Sequence, residues 1–323
     1  VFLALPGFRQ TAIANIHKLN SMQWWESMRI ITRPDFDGVV CAVLLKEALG
    51  AAAPVLWAQP AEMQNGNVQT TARDVVANLP LPVGEAALWF DHHVSNVPQH
   101  SREGLFRIAP SAAGLVYEYY RDRLGPRFQE LVAQADKIDS AQLTHDEILH
   151  PERYPYVLLS MTIFNRRASD EAYCNLLVEL LRAGTMDPVL ATPMVQQRCN
   201  DAIAANKAYE SYLKRHTSMR SQVSITDFRS LTPAPDGNRF LVYSLFPQAV
   251  VNVKVLYEGP HVAVKLGHSI LNPGCQVNVG RLLARYGGGG HKGAGACRLT
   301  HDRAEAQIEE IIEVLIRNQE YIV

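Results

Sequence analysis

Along the first half of the chain, short apolar runs alternate with stretches of helical periodicity. Met28-Arg29-Ile30-Ile31-Thr32 reads as a buried strand because it is short, apolar and β-branched. From Gly38 to Leu49 the apolar positions Val40, Val43, Leu44 and Leu45 recur at helical spacing, and Gly50 stands where such a helix stops. Val55-Leu56-Trp57 predicts the next strand, residues 70–79 a short helix, and Ala86-Ala87-Leu88-Trp89-Phe90 a further strand. Ser111 to Arg123 predicts a helix introduced by Pro110 and Ser111. This alternation is the pattern of an α/β fold with a parallel sheet. Residues 128–185 are mostly helical, and 194–218 form a long polar-rich helix suited to a connector. A second αβ block follows, with strands at 222–228, 239–245, 250–257, 261–266 and 294–299 and helices at Val277–Tyr286 and 302–318.

The expected organisation is therefore a parallel-sheet domain at 28–185, a helical connector at 186–221 and a smaller α/β domain at 222–323. Residues 1–27 carry two readings. They are a native helix around Trp24 and Trp25, or an extension beyond a natural start at Met28 or Met22.

Composition narrows the function. Hydrophobic residues make up 47%, enough for a real core. A formal charge of -1 lacks the basic footprint of a long-duplex binder. The five cysteines, Cys41, Cys174, Cys199, Cys275 and Cys297, form no CxxC pair, which points to a reducing cytoplasm rather than a disulfide framework. No apolar run approaches the ~20 residues of a membrane span.

Chemistry concentrates at predicted strand ends, where ligands bind in parallel α/β sheets. Asp35-Phe36-Asp37-Gly38 follows the first strand. Two carboxylates this close repel unless a cation lies between them; the alternative is that one caps the helix behind it. Asp91-His92-His93 ends another strand, and adjacent imidazoles there leave on different sides, so that one ligates metal while the other faces substrate. The alternative is an exposed loop. Asp74, Asp136 and Asp139 are surface or capping residues when read alone. Gly287 to Gly290, followed by His291, gives a chain able to present backbone N–H groups to an anion. The alternative is a flexible turn, but four consecutive glycines are hard to explain by packing, and no Lys-Ser/Thr follows to make a Walker loop.

Taken together these motifs resemble the DHH phosphoesterase superfamily, in the branch with a C-terminal DHHA1 domain. Arg33-Pro34-Asp35-Phe36-Asp37-Gly38 is similar to its first motif, Asp91-His92-His93 to its third, and Gly287–Gly295 to the GGGH-x-x-A-x-G element of DHHA1. The resemblance covers the chain from Met28 onward. It implies a DHH domain followed by a DHHA1 domain, and two Mn²⁺ or Mg²⁺ ions about 3.5–4 Å apart that activate water against phosphorus. It implies Asp35, Asp37, Asp91 and His92 as ligands, Asp74 as the second-motif carboxylate that bridges metals, and Asp136, ahead of Asp139, as the fourth-motif ligand. It implies that His93 serves the leaving group. Gly288, Gly289, Gly290 and His291 would hold a terminal phosphate, with His268, Ser269 and Arg281 as further substrate contacts. Many members carry a histidine ligand before the first aspartate; here the two positions that could align are Ile31 and Arg33, and Arg33 could clamp a phosphate instead. The expected activity is hydrolysis of short oligonucleotides or pAp-like nucleotides. Inorganic polyphosphate, or nucleotide sensing without turnover, are the alternatives. A homodimer is compatible with the resemblance.

Overall fold

The computed structural model describes residues 28–98, 100, 102–163 and 168–319. Both readings of residues 1–27 lie outside these. The chain forms two compact units, one comprising residues up to Asp139 with Ile163–Thr185, the other Ser140–Thr162 with the residues from Met186 onward.

The first unit is built on β1 (Arg29–Thr32), β2 (Val55–Trp57), β3 (Asp74–Ala77), β4 (Leu88–Asp91) and β5 (Gly104–Phe106). They form a parallel sheet in the order β2-β1-β3-β4-β5. Ile30, Ile31, Val75, Val76 and Phe90 are fully buried. Helices on a parallel sheet cover both its faces, which is why these strands read as continuous apolar runs. The helix Phe36–Leu49 is buried almost all round, and packs against helices Ala112–Tyr119 and Ala168–Arg182. Asp35 caps it by accepting from the Gly38 amide, and Gly50 at φ 129° ends it. The chain leaves β1 for β2 on one side and returns through β3 on the other. Such a reversal opens a crevice at the carboxyl ends of the two central strands.

Residues 70–79 are not helical. Asp74–Ala77 is β3, with all four residues buried between β1 and β4. Flanking strands on both sides override the short helical spacing of Val75, Val76 and Leu79.

The second unit carries β6 (Thr217–Arg220), β7 (Val223–Asp227), β8 (Val251–Glu258), β9 (His261–His268), β10 (Gly289–His291) and β11 (Ala294–Leu299). Their order is β10-β11-β9-β8-β7-β6; β7 and β8 pair in parallel and the other neighbours antiparallel. Val251, Val253, Val255, Val262 and Val264 pack on Leu282 and Leu283 and on Ile308, Ile311, Ile312 and Leu315 of helix Ala304–Arg317. The strand expected at 239–245 is instead the helix Leu241–Leu245. Its run of consecutive buried residues, Leu241 to Ser244, has no periodicity that separates strand from helix. The helix Pro193–His216 belongs to this unit. Among the described residues no helix is long and apolar enough to cross a membrane.

Candidate active site

The crevice at the carboxyl ends of β1, β3 and β4 gathers most of the chemistry. Asp37, in the first turn of its helix, is 2% exposed. Its carboxylate accepts from the Ala112 amide at 2.9 Å and the Ala113 amide at 2.8 Å, the amino terminus of the helix Ala112–Tyr119. Those N–H groups and the helix dipole favour an anion there. Burial, with Asp139 and Asp35 nearby, still pushes the Asp37 carboxyl well above the usual carboxylate range. A positive charge is what this cluster wants.

His92 shows where that charge fits. Its Nδ1 lies 3.0 Å from the Ala109 carbonyl oxygen. A carbonyl only accepts, so Nδ1 carries a proton, and Nε2 is the ring nitrogen left to ligate a metal. Nε2 is buried and makes no hydrogen bond, 3.3 Å from Asp139 Oδ2 and 3.8 Å from Asp37 Oδ2. A ring nitrogen between two carboxylates is stable with a positive charge among them, and a metal ion ligated by all three supplies it. The imidazole and carboxylate donors suit a divalent ion such as Mn²⁺ or Mg²⁺, and Asp37, His92 and Asp139 have ligand atoms within 4.8 Å of one another.

His93 lies beside His92, the ring centroids 4.2 Å apart, and Asp91, His92 and His93 form a second group with ligand atoms within 4.8 Å of one another. His93 Nδ1 is 2.7 Å from Asp91 Oδ1, and this hydrogen bond is the main cause that raises the His93 pKa. Asp91, fully buried at the end of β4, organises the turn. Its Oδ1 accepts from the His92 and His93 amides and from His93 Nδ1; Oδ2 accepts from Asn96 Nδ2 at 2.6 Å. One lone pair on Oδ2 remains for a ligand. An open cavity of 320 Å³ adjoins this turn, lined by Pro80, Leu81, Asn96, Val97, Pro98, His100 and Arg102.

Of the two candidate fourth-motif carboxylates, Asp139 has an oxygen 3.3 Å from His92 Nε2, whereas Asp136 is engaged by Ser111 and meets His92 through charge. Asp136 Oδ1 accepts from Ser111 Oγ at 2.5 Å, and Ser111 in turn caps helix Ala112–Tyr119 by accepting from Gly114. Asp136 thus supports the helix whose amides hold Asp37.

Asp74 does not reach the cluster. It opens β3, so at about 3.3 Å per residue it lies ~10 Å from that strand's carboxyl end. Its carboxylate is occupied by Arg29 Nε and Nη2 at 2.8 and 2.9 Å and by the Thr71 amide at 2.7 Å. Asp74→Ala is expected to leave these donors short of a partner and cost about 1–3 kcal/mol, a fall in Tm of several degrees. Hydrolysis by the folded protein should change less than about tenfold. A folded variant without turnover or Mn²⁺ binding would return Asp74 to the site.

The residue at the carboxyl end of β3 is Asn78, which sequence reasoning missed. It is 1% exposed, takes φ 56°, and donates from Nδ2 to Asp35 Oδ1 at 2.9 Å. The signal the sequence offered was the Asn78-Leu79-Pro80 run, turn-forming residues closing the apolar stretch Val75-Val76-Ala77. Of the two positions where a histidine could align, Ile31 is fully buried in β1, whereas Arg33 places Nε 3.1 Å from Asp35 Oδ2. Burial raises the Asp35 pKa and Arg33 opposes that rise.

In the second unit, packing accounts for Gly288 and Gly290 of the run Gly287–Gly290, and for Gly280 beside it. A Cβ at Gly288 would lie 2.3 Å from the Ala296 carbonyl oxygen, one at Gly290 2.2 Å from that of Ala294, and one at Gly280 2.4 Å from that of Gly290. Only Gly287 and Gly289 of the run have open space there. Packing therefore explains two of the four glycines of the run, and the expectation that it explains none is corrected to that extent. The hairpin tip exposes His291 and Lys292, and burial, with these two neighbours, lowers the pKa of His268. His268 Nε2 is 3.0 Å from the Val277 carbonyl oxygen. Ser269 is buried, its Oγ accepting from the Leu271 and Asn272 amides, so it shapes a turn. Arg281 is an exposed residue of helix Val279–Ala284.

No family model matches the chain, and no curated protein matches it. Among solved structures it is similar to the pGpG-specific phosphodiesterase PggH from Vibrio cholerae, at 30% identity over 90% of this chain and 100% of that one, with a TM-score of 0.79. It is also similar to RecJ from Thermus thermophilus in complex with Mn²⁺, at 16% identity over 99% of this chain and 57% of that one, TM-score 0.61. An exopolyphosphatase-related protein from Bacteroides fragilis matches at 12% identity over 96% and 98% of the two chains, TM-score 0.55. The last two share the fold. With its Asp37-His92-Asp139 cluster at the strand ends and its similarity to PggH along that protein's whole length, the chain belongs to the DHH phosphoesterase superfamily, in the branch with a DHHA1 domain, and is a phosphohydrolase.

Proposed function

We propose that this protein hydrolyses the phosphodiester bond of short 5′-phosphorylated oligonucleotides, with linear dinucleotides of the pGpG type as the preferred substrate. The observation that carries this reading is the buried, unpartnered His92 Nε2 between Asp37 and Asp139, in a chain similar to a pGpG-specific enzyme from end to end of that enzyme. When bound by Asp37, His92 and Asp139, a divalent cation, Mn²⁺ or Mg²⁺, supplies a water of lowered pKa and offsets charge on the phosphoryl oxygens.

The chain's own residues do the rest. Arg33 offers its guanidinium to a non-bridging phosphate oxygen. His93, held by Asp91, gives a proton to the departing ribose oxygen. The cavity beside Asn96 sets apolar walls from Pro80, Leu81, Val97 and Pro98 next to Arg102, which suits a nucleobase better than a bare phosphate chain. In the DHHA1 unit, the exposed Lys292 brings positive charge to the hairpin tip beside His291, where a terminal phosphate is gripped; His268, its pKa lowered by burial, adds a ring and not a charge. The substrates, and five buried cysteines with no disulfide among them, fit work in the cytoplasm.

The test is product release from pGpG, pApA, di- to pentanucleotides, a cyclic dinucleotide, pAp and polyphosphate, with Mn²⁺ and then Mg²⁺. Linear dinucleotides are expected to lead in kcat/KM by at least about tenfold. Preference for polyphosphate, or binding without turnover on every substrate, would overturn the assignment.

A further inference from the structure

Two halves of the crevice differ in what they still lack. The half formed by Asp37, His92 and Asp139 has an unpartnered, buried Nε2 facing two carboxylates. The half formed by Asp35 is already satisfied. Asp35 Oδ1 accepts from the Gly38 amide and from Asn78 Nδ2, both at 2.9 Å, and Oδ2 lies 3.1 Å from Arg33 Nε. That Nε–H is not aligned as a hydrogen bond, so the contact is an ion pair between fixed charges. The Asn78 orientation follows from its partner, since the reversed amide would set its oxygen against Asp35 Oδ1.

Of the two residues that close this half, Arg33 stands where the resemblance expects a histidine ligand, and Asn78 holds the strand-end place that Asp74, at the far end of β3, does not reach. Arg33 is one of the two positions where a histidine was expected, and it brings a permanent positive charge that cannot ligate. Asn78 ends β3, beside Asp35 at the reversal of the sheet, where a carboxylate able to bridge two ions would sit. It is neutral, and it turns what would be carboxylate–carboxylate repulsion into a hydrogen bond. Its remaining Oδ1 is buried without a partner, a single neutral acceptor. A second divalent ion at Asp35 would meet the Arg33 guanidinium and gain no bridging carboxylate, and the imidazole nearby, His93, has its Nδ1 already held by Asp91.

We propose that this protein is a one-ion member of its superfamily: a single resident divalent cation is held by Asp37, His92 and Asp139, and the Arg33 guanidinium, positioned by Asp35 and Asn78, replaces the second ion as the positive charge that meets the phosphate. This rests on the phosphohydrolase reading of the same site. The consequence is chemical. A guanidinium binds and orients a phosphoryl oxygen bidentately but does not lower the pKa of a water, so nucleophile activation and phosphate clamping fall to different groups.

The experiment is Mn²⁺ binding to the full chain, by equilibrium dialysis with metal analysis and by electron paramagnetic resonance, with hydrolysis assayed in parallel. The wild-type protein is expected to bind about one Mn²⁺ per chain and show the six-line signal of an isolated ion. Arg33→His with Asn78→Asp is expected to bind about two and show the broadened signal of a coupled pair; Arg33→His alone, at a partly exposed position, serves if the double variant does not fold. Two tightly bound, coupled ions in the wild-type protein would overturn the inference while leaving the phosphohydrolase reading intact. So would a folded double variant that still binds one. No bound ion together with no turnover would overturn both.

Discussion

Asp139→Asn is expected to lower kcat/KM by about a thousandfold, and Asp136→Asn by less than about tenfold. Asp139 Oδ2 is 3.3 Å from His92 Nε2 and belongs to the one described group that joins the first-motif carboxylate to the third-motif imidazole. Making it neutral removes a charged ligand, a loss of about 4 kcal/mol in transition-state stabilisation at 1.36 kcal/mol per tenfold. Mn²⁺ affinity should fall in parallel, because ligation and not the fold has changed: Asp139 is the last residue of the helix Gln129–Asp139 and partly exposed. Asp136 acts through Ser111, and an asparagine oxygen still accepts that hydroxyl proton. Steady-state kinetics and Mn²⁺ titration of both variants decide it. The reverse ranking would make Asp136 the ligand and Asp139 the bystander.

That pair shows why part of the site was not legible in the chain alone. Residues 136 and 139 are three apart on one helix face and look equivalent by spacing. Ser111 and His92 tell them apart, and both come from distant segments. The same holds for Asp74 and Asn78. A four-residue strand buried on both sides carries no period-2 alternation, so Asp74-Val75-Val76-Ala77 read as helix and the carboxylate was assigned to the wrong end of it. By contrast β1, the helix Phe36–Leu49 and β4 were legible, because each joins an apolar run to an acidic or imidazole residue where the strand ends. From there the parallel sheet and the placement of Asp35, Asp37, Asp91, His92 and His93 at carboxyl strand ends follow. The glycines illustrate a third limit. Gly280, Gly288 and Gly290 are required by backbone approaches across helix Val279–Ala284, β10 and β11, and the same letters would serve an anion loop. The letters give the permissive residue; only the packed hairpin says which constraint it answers.

His93 carries the other large effect. Its hydrogen bond to Asp91 raises its pKa, so the ring keeps its proton further toward neutral pH than a free imidazole. A protonated ring whose Nδ1 is fixed on a buried carboxylate offers Nε2–H to a neighbour, the geometry of a general acid. His93→Ala is therefore expected to lower kcat on a linear dinucleotide by about 10²–10⁴-fold with little change in KM, since the lost interaction belongs to bond breaking. The loss should depend on the leaving group. A ribose alkoxide needs a proton as it departs, whereas a nitrophenolate does not, so an aryl phosphodiester should lose less than about tenfold in the same variant. Mn²⁺ affinity should stay near wild type, because the ring nitrogen nearest the protein is engaged with Asp91 and Nε2 of His92 is the one turned to Asp37 and Asp139. Equal losses on both substrates would show that His93 does not protonate the leaving oxygen. A matching fall in Mn²⁺ affinity would move it from acid to ligand. Asp91→Asn separates these further: it keeps the side-chain shape and weakens the bond that holds the proton on His93, so it should reproduce the leaving-group dependence in milder form.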